Sequence, residues 1–374
     1  MEYRQLDKLN IKTSLLGFGC MRFPTLEDGS INEAEAEKMI DHAMSQGVNY
    51  IDTAYPYHNG DSEPFVGKVL KKYNRQDFYL ATKLPVWNIE KFEDVERIFN
   101  EQLTRLDVEY VDFYLLHALD KTKWQKILDL GIIPYCEKLK AEGKIKYLGF
   151  SFHDDYEVFE EIINYRQWDF CQIQLNYIDT DIQAGLKGYE LAKSKDIPMV
   201  IMEPIKGGSL ASLPEDIEKM FKSYDSQASL SSWALRWVGS LDNIKVILSG
   251  MSTFEQVEDN LNTFNHFKAL DDTEQALVEQ VASTIKSRTK NGCTGCAYCM
   301  PCPFGINIPK NFRIWNDYAM YGNTEVTKKR YYKELKDNER AEFCKKCGKC
   351  EKMCPQAIKI REDLKRVVED MPKC

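Results

Sequence analysis

Asp112-Phe113-Tyr114-Leu115-Leu116-His117 is too continuously apolar for a strand with one wet face, and too short for a buried helix. It reads as a strand covered on both sides. Seven more runs of the same kind recur along the first 290 residues: Leu15–Gly19, Val48–Asp52, Phe78–Lys83, Tyr147–Ser151, Phe170–Leu175, Met199–Glu203 and Lys245–Ser249. Amphipathic stretches separate them. Asn32 with Glu35 has the form of a capping box opening the first, and Gly47 closes it. Buried strands alternating with helices imply a parallel sheet, and eight such units in about 250 residues imply a closed (β/α)8 TIM barrel. An open doubly wound sheet is the alternative, weakened by the lack of a G-x-G-x-x-G turn after the first strand.

In a barrel the C-terminal strand ends carry the chemistry. Here they present Asp52, Lys83, His117, Ser151, Gln172, Glu203 and Ser249. Taken singly, Asp52 could cap a helix, Lys83 could be a rim charge, and His117 could be a core histidine bonded to backbone. Polar residues at strand end after strand end are harder to explain as packing, and together they point to an active site.

The chain has 374 residues, a formal charge of −8 and twelve cysteines. That length suits one large domain and a small one. The acidic balance excludes a nucleic-acid surface, which needs clustered Lys and Arg. The charged start Met1-Glu2-Tyr3-Arg4 is not followed by an apolar signal region, and no run approaches the roughly 18 apolar residues of a membrane span. A cytoplasmic protein with no membrane partner is expected. In that compartment cysteines mean metal or redox chemistry rather than disulfides.

Eight of the cysteines are crowded into two groups, so a boundary is expected near Thr289, dividing the chain into 1–288 and 289–374. One group, Cys344-x-x-Cys347-x-x-Cys350-x-x-x-Cys354-Pro355, has the bacterial ferredoxin spacing, in which the fourth cysteine reaches the other cluster. The other, Cys293-x-x-Cys296-x-x-Cys299-x-x-Cys302-Pro303, has the same triple with one residue fewer before the last cysteine. Two 4Fe-4S clusters are expected. If ligation crosses, Cys293, Cys296 and Cys299 share a cluster with Cys354, and Cys344, Cys347 and Cys350 share one with Cys302. Zinc is the rival, but four thiolates per ion leave the third cysteine of each triple unexplained. The insertion at about 304–343, with Phe312, Trp315, Tyr318, Tyr321, Tyr331 and Tyr332, reads as one or two helices that pack the module onto the larger domain. The second domain is thus a small, mostly helical, ferredoxin-like iron–sulfur domain.

Residues 1 to 265 resemble the aldo-keto reductases. The resemblance rests on Gly17-Phe18-Gly19, Asp52-Thr53-Ala54-x-x-Tyr57 with Gly60 and Ser62-Glu63, Ala81-Thr82-Lys83, Leu115-Leu116-His117, Gly149-Phe150-Ser151, and Gly250 with Glu255, Asp259 and Asn260. It implies a catalytic set of Asp52, Tyr57, Lys83 and His117. The chemistry agrees: reducing a carbonyl by hydride requires a positioned acid, and a tyrosine beside an ammonium has its pKa drawn down from about 10. Asp52 would hold Lys83, and His117 would orient the carbonyl oxygen. The resemblance also implies nicotinamide contacts at Ser151 and Gln172, with Met202 where many relatives carry an aromatic. It implies phosphate and adenosine contacts at Gly250, Ser252, Gln256, Asp259 and Asn260. His153 stands two residues after Ser151, where many relatives have Asn directly after the serine. Cations for a 2′-phosphate are missing from this stretch, so NADP(H), the family default, is expected without exclusion of NAD(H).

Three functions follow. One is NAD(P)H-dependent reduction of an aldehyde or ketone, with a small carbonyl or alcohol substrate. The second is electron transfer among NAD(P)H, the clusters and an external one-electron carrier. The third is a nicotinamide-binding sensor subunit.

Overall fold

The computed structural model describes residues 1–373; Cys374 lies outside the described residues. By packing, the chain separates into two compact units. One holds 1–207 and 231–271, the other 208–230 and everything from Asp272 onward. The helix Asp272–Ser287, on the barrel side of the expected division at 288, groups with the cysteine-rich segment. It packs there against the helix Glu215–Tyr224, and Arg288 at its end is paired with Asp216.

The first unit opens with an antiparallel hairpin, β1 (Tyr3–Leu6) and β2 (Ile11–Ser14), turning at Asn10 in the left-handed region. The eight expected runs then form β3 (Leu16–Gly19), β4 (Tyr50–Asp52), β5 (Tyr79–Leu84), β6 (Val111–Leu119), β7 (Ile145–Phe152), β8 (Phe170–Gln174), β9 (Met199–Met202) and β10 (Ile244–Ser249). All pair in parallel with their sequence neighbours, and β10 pairs with β3 to close the barrel. The open-sheet alternative is thereby excluded. The helix Glu33–Ser45 begins where expected, with the Asn32 side chain accepting from the Glu35 N–H, and Gly47 follows at a φ of 96°.

The barrel interior is filled rather than hollow. The Phe113 ring lies 4.9 Å from those of Tyr50 and Phe170, and 5.0 Å from that of Tyr147. Leu6 from the hairpin joins the same cluster, so the first strands plug the end of the barrel opposite the polar rim. Packing is tight enough to explain the glycine of Gly149-Phe150-Ser151. Gly149 on β7 faces Phe170 on β8, and a Cβ there would sit 2.7 Å from the Phe170 carbonyl oxygen and 2.6 Å from its ring.

The second unit has its own core. Ile308, Phe312, Ile314, Trp315, Tyr331, Leu364 and Val367 are buried together, with Cys293, Cys299, Cys302, Cys344, Cys350 and Cys354 packed against them. The helix Ile308–Tyr321, started by the Asn307 side chain and stopped by Gly322 at a φ of 66°, supplies Ile308, Phe312, Ile314 and Trp315 to this core. The inserted aromatics Phe312, Trp315 and Tyr331 therefore build the module that holds the cysteines.

Overpacking at a site with rigid backbone on one side costs about 1–3 kcal/mol. Gly149→Ala should lower the barrel's stability by that amount, read by chemical denaturation followed by circular dichroism. An unchanged midpoint would mean that β7 and β8 can separate freely.

Candidate functional site

Four of the expected rim residues converge. Lys83, at the end of β5, has no solvent exposure, and its ammonium donates to Asp52 Oδ1 at 2.7 Å and to the Thr53 carbonyl at 2.7 Å. The Tyr57 ring covers it, with the ammonium 5.0 Å from the ring centroid. The rings of Tyr57 and His117 are 6.2 Å apart, edge to face. Trp87, half exposed, lies 4.9 Å from His117. Tyr57 leads into a tight turn in which His58 and Asn59 take φ values of 51° and 55°. The backbone N–H of Phe23 donates to His58 Nε2 and ties this turn down.

Charge in the site follows from burial. Burial disfavours the Lys83 ammonium, yet Asp52 and Tyr57 outweigh it, and the pKa of Lys83 is raised. Burial raises the Asp52 carboxyl against the pull of Lys83. The 2.7 Å contact places an ion pair here. For Tyr57 the expectation of a lowered pKa is overturned: burial is the largest influence and pushes the phenol up, and Lys83 only partly offsets it. His117 is held well below its usual value by burial, then by Lys83, and is a neutral imidazole at neutral pH. Its Nδ1, together with Asp52 Oδ2 and Gln172 Oε1, is buried without a hydrogen-bond partner.

The expected cofactor contacts fall in two places. Ser151 and Gln172 are register neighbours on β7 and β8. Ser151 Oγ accepts from the Ala118 N–H at 2.7 Å, and Gln172 Nε2 points at Met202 Sδ at 3.4 Å. Gly250, Ser252, Gln256, Asp259 and Asn260 lie at the end of β10 and on the helix Phe254–Asn265. Gln256 is engaged there with the Ser252 N–H, and Asn260 donates to Ser249 Oγ.

Two features escaped sequence reasoning. Arg22 borders Gly250 so closely that a Cβ on the glycine would fall 2.7 Å from Arg22 Cγ, and Ser252 Oγ donates to the Arg22 carbonyl. Barrel closure brings this cation to the last strand across a gap of 230 positions. The second is a buried polar knot beneath Lys83. Glu63 accepts from Thr82 Oγ1 and Gln102 Nε2, and Gln102 also donates to the Lys83 carbonyl at 3.0 Å. Ser62-Glu63 was visible as a motif, but Gln102 carried no signal.

In the second unit the cysteines sort across the two groups. Cys293, Cys296 and Cys299 border one cavity with Cys354. Cys302 borders the other with Cys344, Cys347 and Cys350, and Cys299 reaches its wall. Cys296 and Cys354 bear electrostatically on Cys293, and Cys293, Cys354 and Cys296 bear on Cys299. Among the described residues, no group of three or more His, Cys, Asp or Glu is drawn together as a single metal ion would require. At least four cysteine thiols border each cavity, and four are the donor set that a 4Fe-4S cluster takes.

A family model described as "Aldo/keto reductase family" matches residues 15–283, and one described as "4Fe-4S dicluster domain" matches residues 292–359. L-galactose dehydrogenase of Arabidopsis thaliana is 27% identical over 313 residues, spanning 77% of this chain and 97% of its own. NADH-specific methylglyoxal reductase of Escherichia coli is 26% identical over 288 residues, spanning 64% and 85%. The holo structure of an aldo-keto reductase from Bacillus halodurans superposes with a TM-score of 0.63 at 27% identity, covering 75% of this chain and 96% of that one. The chain therefore belongs to the aldo/keto reductase family and carries a 4Fe-4S dicluster domain after its barrel.

Proposed function

We propose that this NAD(P)H-dependent oxidoreductase reduces a small aldehyde or ketone at the barrel rim, with Tyr57 as the acid. The observation that carries the proposal is the Lys83–Asp52 ion pair, wholly buried beneath the Tyr57 ring. A bound nicotinamide would supply the hydride to the carbonyl carbon. Tyr57 then gives its proton to the carbonyl oxygen as negative charge develops there. Lys83 stabilises the phenolate left behind, and Asp52 keeps Lys83 charged and in place. Neutral His117 donates an N–H to the same oxygen and fixes its direction. The raised pKa of Tyr57 suits this role, because the acid is fully protonated across the neutral range.

Ser151, Gln172 and Met202 fit the nicotinamide end of a cofactor, and the unsatisfied Gln172 Oε1 is a ready acceptor for its carboxamide. Gly250, Ser252, Gln256, Asp259 and Asn260 would form the phosphate and adenosine end. Arg22 supplies the cation that the sequence of this stretch lacks. We assign the division into residues 1–288 and 289–374 to these two chemistries. In the second part, Cys293, Cys296, Cys299 and Cys354 would hold one cluster, and Cys302, Cys344, Cys347 and Cys350 the other. One-electron exchange with an outside carrier is the second activity we assign, on the strength of the exposed Cys347 beside its cavity.

Tyr57→Phe should reduce kcat/KM for aldehyde reduction by roughly 10²–10⁴-fold while leaving the iron content intact. In the wild type, a raised tyrosine pKa places the loss of reduction on the alkaline side, above about pH 10, and a neutral His117 gives no loss as pH falls through 6.5. Full activity in the variant, or an inflection near pH 6.5, would overturn these roles. Ligation is tested separately in a Cys344→Ala/Cys347→Ala background, which should retain one cluster. Adding Cys354→Ser should remove its remaining iron and sulfide, whereas adding Cys302→Ser should not.

A further inference from the structure

The two cysteine-lined cavities differ in charge. The cavity of Cys293, Cys296, Cys299 and Cys354 has no charged side chain on its wall. The cavity of Cys302, Cys344, Cys347 and Cys350 is bordered by Lys345, Lys346 and Lys349, and Lys352 follows one turn on. All four lysines are exposed, and among the described residues none of their ammonium groups makes an ion pair. The nearby Arg361 is committed to Glu351. A local excess of positive charge on a chain of net charge −8 is a directional feature, since it attracts anionic partners to this face.

The same wall is apolar where it meets solvent. Tyr298 is 65% exposed, Phe304 46% and Met353 57%, and all three border this cavity. Large apolar side chains gathered on a surface mark an interaction site, and a charged rim around an apolar centre is the usual plan of a protein interface. Lysines placed only to offset cluster thiolates would not require exposed aromatics beside them.

We infer that the face formed by Tyr298, Phe304, Lys345, Lys346, Lys349 and Met353 docks a small acidic one-electron carrier protein. The inference rests on the dicluster reading of the eight cysteines. Docking places the carrier beside the cluster held by Cys347. The carrier would give up one electron and be oxidised, and a 4Fe-4S cluster held by Cys302, Cys344, Cys347 and Cys350 would be reduced by it, with no bond made or broken. Carriers of this class are acidic by the requirement of the site. The uncharged cavity of the first group offers them no attraction.

The test uses the full-length protein, loaded with clusters under anaerobic conditions, and a small acidic [2Fe-2S] ferredoxin as the probe. Association rate constants are measured by surface plasmon resonance at 20 and 300 mM NaCl. A Lys345→Glu/Lys346→Glu/Lys349→Glu variant and its Lys→Gln counterpart are compared with wild type. Wild-type association should fall about tenfold or more between the two salt conditions. At low salt the glutamate variant should lose about tenfold or more in rate, and the glutamine variant should fall between. Iron and sulfide content, and the EPR signal after dithionite, should be unchanged in both. A rate indifferent to salt and to the substitutions would overturn the docking face, as would binding of a second copy of this chain in place of the probe. If dithionite reduces the clusters while the ferredoxin never binds, docking fails and the dicluster reading stands. If no iron–sulfur chromophore forms at all, both fail.

Discussion

An ammonium and a carboxylate, both out of contact with water, are held together at the end of a packed barrel. Removing either charge from solvent costs several kcal/mol, and only close geometry with further hydrogen bonds repays it. Here Lys83 finds Asp52 and the Thr53 carbonyl, and its own carbonyl accepts from Gln102, whose amide also donates to Glu63. Removing Asp52 would strand a buried cation, a change worth about 3–5 kcal/mol. The rest of the rim depends on this pair. It sets the floor on which Tyr57 rests, and its charge helps to keep His117 neutral. A buried pair that packing alone would not favour marks a candidate functional position.

Much of this was legible in the sequence. Strands covered on both faces must be apolar throughout, so Asp112–His117 and its seven counterparts stood out, and their polar ends marked the rim. The N-terminal hairpin did not stand out, because Tyr3–Leu6 and Ile11–Ser14 are short and mostly polar, with Leu6 their one buried apolar side chain. Arg22 was illegible for a topological reason. Only closure between β10 and β3 makes the first loop a neighbour of the last strand. The direction of the Tyr57 pKa was misread because a neighbouring charge can be seen in a motif and burial cannot. Desolvation proved the larger of the two effects.

The second unit teaches a related lesson. Its cysteine spacing pointed to a dicluster domain, and Cys354 shares a cavity with Cys293, Cys296 and Cys299. The inserted segment was read as packing the module onto the larger domain, and its Phe312, Trp315 and Tyr331 lie in the module's own core. A small domain with two cavities has little apolar interior to spare, and a helix bearing these aromatics supplies it. The asymmetry in charge between the cavities lies in four lysines, ordinary in sequence and informative only once their shared face is known.

The central claim is that a hydride moves at the barrel rim. Anaerobic stopped-flow mixing of the cluster-loaded protein with an aldehyde and NADPH, protiated or deuterated at the transferring C4 position, tests it most directly. The account predicts that deuteration slows cofactor oxidation severalfold, with one alcohol formed per cofactor consumed. Cofactor oxidation at the same rate with either isotope, and without alcohol formation, would contradict it.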